Sequence, residues 1–211
     1  MSLVGKKFPN ITVDAISYMG DNLRINVLEE ATKNNKKVLL FWYPKDFTFV
    51  CPTELHAFQT ALGEFEKRNT MVIGASCDTN EVHFAWLNTA KNNGGIEGVT
   101  YPLLADTTRN LSAALDILDA EWVYDAELND EILEGSNVTF RATYLIDETG
   151  KIFHESVNDM PLGRNVNEYL RLIDAYTHVQ TKGEVCPANW EEGKEAMTAD
   201  RLSTAAYLSQ N

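Results

Sequence analysis

The sequence predicts an α/β protein with a central sheet covered on both faces. Two observations carry this. Apolar runs of strand length alternate with segments of helical periodicity, and Glu148-Thr149-Gly150 joins two strand-like runs as a hairpin turn. At 211 residues the chain is long enough for one sizeable core.

Lys37–Tyr43 is a nearly unbroken apolar run and reads as a buried strand. A short loop follows, then Cys51-Pro52, and Leu55, Phe58, Leu62 and Phe65 recur at intervals of three and four. That spacing predicts an amphipathic helix from Glu54 to about Lys67, with Pro52 at its first position. Met71–Cys77 is a second apolar strand, Glu81–Lys91 a helix, Thr100–Ala105 extended and Arg109–Leu115 a short helix. Val138–Asp147 and Lys151–Val157 form the hairpin, and Val166, Leu170 and Ile173 mark a helix to about Val179. From Thr181, glycines and a proline interrupt the pattern, so the tail reads as an arm with a last helix at Ala199–Leu208. The expected division is a domain over 1–180 and an arm over 181–211.

The charge balance is 18 basic against 31 acidic residues, a net −13, with no basic cluster. This excludes nucleic acid and anionic membrane surfaces as partners. No signal-like or spanning apolar run occurs, so a cytoplasmic protein is expected. Asp119–Asn137 holds seven acids and no Lys or Arg. It reads as a solvated surface excursion, with a docking surface for a basic partner as the lesser alternative.

Three scattered cysteines (Cys51, Cys77, Cys186) do not make a disulfide framework. Cys77 ends a strand and reads as core. Cys51 stands where a helix starts, with free backbone N–H groups expected to face its sulfur and favour the thiolate that attacks. Thr48 lies three residues earlier, close enough for its hydroxyl to donate to that sulfur. Pro44 limits water access. Glu54, one turn on, has the charge to hold a cation. Arg141 is a charge inside an otherwise apolar strand and needs a partner; a snorkelling surface arginine is the plainer explanation. Full ionisation of a thiol gains only about 30-fold at pH 7, so a fast thiol enzyme must also stabilise the charge that develops on the leaving oxygen. The four histidines lack ligand spacing, and neither a metal nor a cofactor is expected.

Pro44-x-x-x-Thr48-x-x-Cys51, Arg141 far downstream and Val185-Cys186-Pro187-Ala188-Asn189-Trp190 together resemble the typical two-cysteine peroxiredoxins, and the bacterial alkyl hydroperoxide reductase C components among them. The resemblance runs from about residue 3 to Trp190. It implies a thioredoxin-like fold, a central mixed sheet flanked by helices with a C-terminal arm. It implies Cys51 as the peroxidatic residue, a pocket completed by Pro44, Thr48 and Arg141, and Glu54 orienting Arg141. Cys186 would be the resolving cysteine, reaching Cys51 from the other subunit of a homodimer, with five dimers closing a decamer. The partners implied are a peroxide and a disulfide reductant, thioredoxin or a flavoprotein reductase.

Two features depart from the family pattern. The acidic stretch before Arg141 is longer than usual. Gly94-Gly95-Ile96-Glu97 and Tyr207-Leu208 only partly match the motifs of forms easily over-oxidised, so intermediate-to-robust behaviour is expected. A thioredoxin-type dithiol oxidoreductase is disfavoured because no Cys-x-x-Cys occurs; a non-enzymatic holdase or redox scaffold stays open as an added role.

Overall fold

A computed structural model describes residues 2–210. The chain divides into two compact units, 1–164 and 165–211. The helix after residue 165 therefore groups with the tail, earlier than the sequence-based boundary at 180/181.

The first unit is built on a seven-stranded sheet in the order β2-β1-β5-β4-β3-β8-β9. Its strands are β1 (Thr12–Ile16), β2 (Asn22–Asn26), β3 (Lys37–Trp42), β4 (Thr70–Ser76), β5 (Leu103–Ala105), β8 (Arg141–Ile146) and β9 (Ile152–Asn158). β4 runs parallel to β3 and β5, while the other pairs are antiparallel, so the sheet is mixed. The helices are α1 (Val27–Asn34), α2 (Cys51–Thr60), α3 (Leu62–Lys67), α4 (Asn80–Leu87) and α5 (Asn110–Ala114).

β3 shows why both faces are covered. Successive strand side chains point to opposite faces, and all six residues of β3 are buried. Val38, Leu40 and Trp42 join the cluster that holds Val27 and Ala31 of α1 and Leu111 of α5. On the other face Phe41 stacks on Phe58 of α2, with ring centroids 4.1 Å apart.

The hairpin turn places Gly150 at φ +81, where a Cβ would also meet Leu28 Cδ1 at 2.1 Å. Only glycine fits both demands.

Several boundaries differ from expectation. The helix begins at Cys51 itself, because Val50 is already helical (φ −83, ψ −36). It breaks at Ala61, whose φ −90 and ψ 0 separate α2 from α3. The acidic stretch forms a two-stranded ribbon of its own, β6 (Leu118–Asp125) with β7 (Asp130–Thr139). It is solvated as expected, with Trp122 and Tyr124 exposed. The single strand expected over Val138–Asp147 is consequently two, interrupted at Phe140 where the chain passes from ribbon to main sheet.

Cys77 is half-buried against the core and just outside β4, its thiol pushed up to about 11, first by burial and then by Asp106. The second unit contains α6 (Val166–Lys182) and α7 (Arg201–Gln210). No described helix is long and apolar enough to cross a membrane.

Candidate active site

The site forms where the C-terminal end of β3 meets the N-terminal end of β8. These strands are antiparallel, with Phe41 opposite Thr143, so the residue opening β8 lies beside the chain leaving β3. That residue is Arg141, and the departing chain carries Pro44 through Cys51 into α2. β8 lies between β3 and β9 and is buried throughout, so the surface-arginine reading of Arg141 is excluded.

Cys51 is completely buried, and Arg141 Nη1 donates to its Sγ at 3.4 Å. The same nitrogen donates to Glu54 Oε2 at 2.6 Å, and Arg141 Nε to the Met160 carbonyl. The expected Glu54–Arg141 partnership is therefore present, one helical turn from the sulfur.

A residue that sequence reasoning missed completes it. Arg164 Nη2 donates to Glu54 Oε2 at 2.8 Å, while its Nε and backbone N–H reach Oε1 at 2.8 and 3.0 Å. Its Nη1 donates to the carbonyls of Trp42 and Ala142, both at 2.9 Å, and its guanidinium carbon lies 5.1 Å from the Phe41 ring centroid. Arg141, Glu54 and Arg164 have side chains 4%, 3% and 1% exposed. At such burial a lone charge would be costly, whereas a hydrogen-bonded set holds. Two guanidiniums against one carboxylate leave one positive charge over, which suits an anion at the sulfur or at an oxygen bound beside it. The only sequence signal for Arg164 is a single arginine after Pro161-Leu162-Gly163, directly before the helix cap at Asn165.

Two expectations are corrected. The Thr48 hydroxyl donates to the Lys45 carbonyl at 2.8 Å rather than to Cys51. A hydroxyl has one proton, and the loop turn after Lys45 takes it. The first-turn N–H groups of Thr53 and Glu54 go to the Val50 carbonyl at 3.0 and 3.4 Å, so the turn satisfies them internally. The donor brought to the sulfur is Arg141.

Pro44 is buried at the start of the loop. Asp46 anchors that loop from beneath: its Oδ2 lies 2.7 Å from Nδ1 of the fully buried His83, whose Nε2 lies 3.1 Å from the Leu104 carbonyl. Cys186 lies in the second unit, half-buried, with its thiol donating to the Ala175 carbonyl at 3.6 Å.

Comparison with known proteins bears on what this geometry does. Residues 4–155 match the AhpC/TSA family, and residues 175–210 match the C-terminal domain of 1-Cys peroxiredoxin. The chain is a peroxiredoxin of the AhpC/TSA family. This peroxiredoxin is 40% identical over 211 residues to alkyl hydroperoxide reductase C of Helicobacter pylori, covering 99% of this chain and 98% of that one. It is 35% identical over 209 residues to the chloroplastic 2-Cys peroxiredoxin BAS1 of Hordeum vulgare, covering 99% and 91%. Among solved structures it superposes on the reduced 2-Cys peroxiredoxin of Plasmodium vivax with a TM-score of 0.87 and 37% identity, covering 99% of this chain and all of that one. The fold is the thioredoxin-like peroxiredoxin fold, and the protein is a thiol-dependent peroxidase.

Proposed function

We propose that this peroxiredoxin reduces hydrogen peroxide and alkyl hydroperoxides with Cys51 as the attacking thiolate and Cys186 as the resolving thiol. The observation that carries this reading is the Arg141 nitrogen 3.4 Å from Cys51 Sγ, held there by Glu54. As the thiolate attacks one peroxide oxygen, the S–O bond forms and the O–O bond breaks. The other oxygen leaves as an alkoxide or hydroxide and takes a proton from water. Arg141 donates where that negative charge develops, and Glu54 with Arg164 keeps it aimed. Pro44 shields the sulfur. Thr48 contributes its hydroxyl only after the bond to Lys45 turns over.

Cys51 sulfenic acid then condenses with the Cys186 thiol, releasing water and forming a disulfide. Two sulfurs bond only when their Cβ atoms come within about 4 Å, so the buried Cys51 must first emerge. The start of α2 favours this, because no side chain caps it; a cap would add about 1 kcal/mol. A dithiol donor, thioredoxin or a flavoprotein reductase, restores both thiols by exchange. The disulfide links two subunits of a homodimer, five dimers form a decamer, and the protein works in the cytoplasm. The match to alkyl hydroperoxide reductase C and 2-Cys peroxiredoxins over nearly the whole chain supports the two-cysteine cycle.

Peroxide consumption by purified protein with a dithiol donor tests the scheme. Cys51→Ser loses all turnover, and Cys186→Ser makes one rapid equivalent of sulfenic acid and then stalls. Steady turnover in Cys51→Ser refutes the assignment. Mass spectrometry after excess peroxide finds sulfinic Cys51 only after many turnovers; its dominance after a few contradicts the expected robustness.

A further inference from the structure

The second unit folds back on itself around Cys186. Gly183, at φ 69, ends α6 and returns the chain along it. Three positions of α6, 171, 175 and 178, share one face and meet the returning segment in antiparallel order. His178 Nε2 lies 2.8 Å from Glu184 Oε2, Cys186 Sγ donates to the Ala175 carbonyl, and Arg171 Nη1 donates to the Trp190 carbonyl at 3.1 Å. The Trp190 ring lies over His178 with centroids 5.0 Å apart, and backbone bonds between Val185 and Met197 pin the flank of Cys186. Cys186 is thus clasped against α6 one helical turn from Arg171.

The Arg171 guanidinium is itself fixed, since Glu168 accepts from its Nε and Nη2 at 2.8 and 2.7 Å. Of the groups around Cys186, burial raises the thiol, Arg171 pulls it down and Glu184 raises it, leaving it above its ordinary value. Glu191 also faces Arg171, and His178 partners Glu184. Arg171 is the cation that opposes burial here.

We propose that Arg171 is the charge partner of the Cys186 thiolate in the resolving half-reaction, a positioning residue aimed by Glu168 and the Trp190 carbonyl. The proposal rests on Cys186 being the resolving thiol. In that step Cys186 gives its proton to water and the thiolate attacks the sulfenic sulfur of Cys51. The S–S bond forms, the S–O bond breaks, and the departing hydroxide takes a proton to become water. Arg171 favours the anion of the first event, against Glu184 and against the Ala175 carbonyl, which holds the S–H form.

The test uses the full-length reduced protein and Arg171→Gln. Without peroxide, iodoacetamide labelling of Cys186, read by mass spectrometry, slows about threefold at pH 7 in the variant. This is the net of roughly tenfold less thiolate and roughly threefold greater nucleophilicity. The two pH profiles cross once both thiols are ionised, which a purely structural role does not produce. After one equivalent of peroxide, sulfenic acid forms at the parent rate while the disulfide phase slows by the same factor, and Arg171→Lys restores both readouts. Superimposable labelling profiles for parent and Arg171→Gln overturn the proposal, as does a lysine variant that folds but rescues nothing. A shifted labelling profile with an unchanged disulfide phase also overturns the role of Arg171 in resolution, because that phase is then set by another step, such as the emergence of Cys51; a Cys186→Ser protein that still closes a disulfide on Cys51 refutes the parent assignment separately.

Discussion

Replacing Glu54 by Gln leaves two buried guanidiniums facing an amide. The carboxylate accepts four N–H donors, at 2.6 Å from Arg141 and at 2.8, 2.8 and 3.0 Å from Arg164. The amide retains one oxygen and turns an NH₂ toward donors. Breaking a buried ion pair from one side costs about 3–5 kcal/mol. In a chain of this size 1 kcal/mol is worth roughly 2–4 °C, so Tm falls by about 10 °C. Arg141 also loses its clamp. Loss of one aimed donor to a developing oxyanion costs about 10²–10³ in rate, so the second-order rate with peroxide falls about 100-fold. Stopped-flow tryptophan fluorescence under pseudo-first-order peroxide, well below the variant's Tm, measures the rate, and calorimetry measures the stability. A rate within threefold of the parent refutes the reasoning, because Arg141 would then need no carboxylate to point it at Cys51.

Arg164→Leu leaves Glu54 with Arg141 alone and strips buried donors from Glu54 and from the Trp42 and Ala142 carbonyls, so it lowers stability by about 3 kcal/mol or more in chemical denaturation. Its peroxide rate falls less than that of Arg141→Ala, since Arg164 touches Glu54 and not the sulfur. Cys77, with its thiol near 11 against the ordinary 9.0, reacts with iodoacetamide about tenfold slower than a free thiol at pH 8, the net of about 100-fold less thiolate and about tenfold greater nucleophilicity, measured by site-resolved mass spectrometry. Its folded value is the higher one, so its stabilising contribution is intact below pH 9 and declines by about 3 kcal/mol as pH rises from 9 to 11. Cys77→Ala lacks that share of the alkaline loss in denaturation curves. Phe58→Ala removes the ring stacked on Phe41 and costs about 3–5 kcal/mol in the same assay.

What the sequence made legible follows from how local each signal is. β3 announces itself because a strand buried on both faces must be apolar throughout. Arg141 stood out because a charge in such a strand needs an explanation. Arg164 did not, since its partners, Trp42, Glu54 and Ala142, are brought to it only by folding. The helix starts earlier than the apolar spacing and Pro52 indicate, since Val50 is already helical without any polar cap. The break at Ala61 left no trace in the apolar spacing, as Leu55, Phe58, Leu62 and Phe65 continue across it. The ribbon was hidden because its acids overlie the period-two pattern: Trp122 pairs with Leu133 but Tyr124 with Glu131.

The ribbon of β6 and β7 hydrogen-bonds as a sheet of its own, while Arg141, just past its base, opens β8 and lies opposite Asn158 of β9. Its tip, Ala126 to Asn129, consequently offers a splice point for a foreign peptide, where a fluorophore or affinity handle can be carried without disturbing the register that aims the guanidinium.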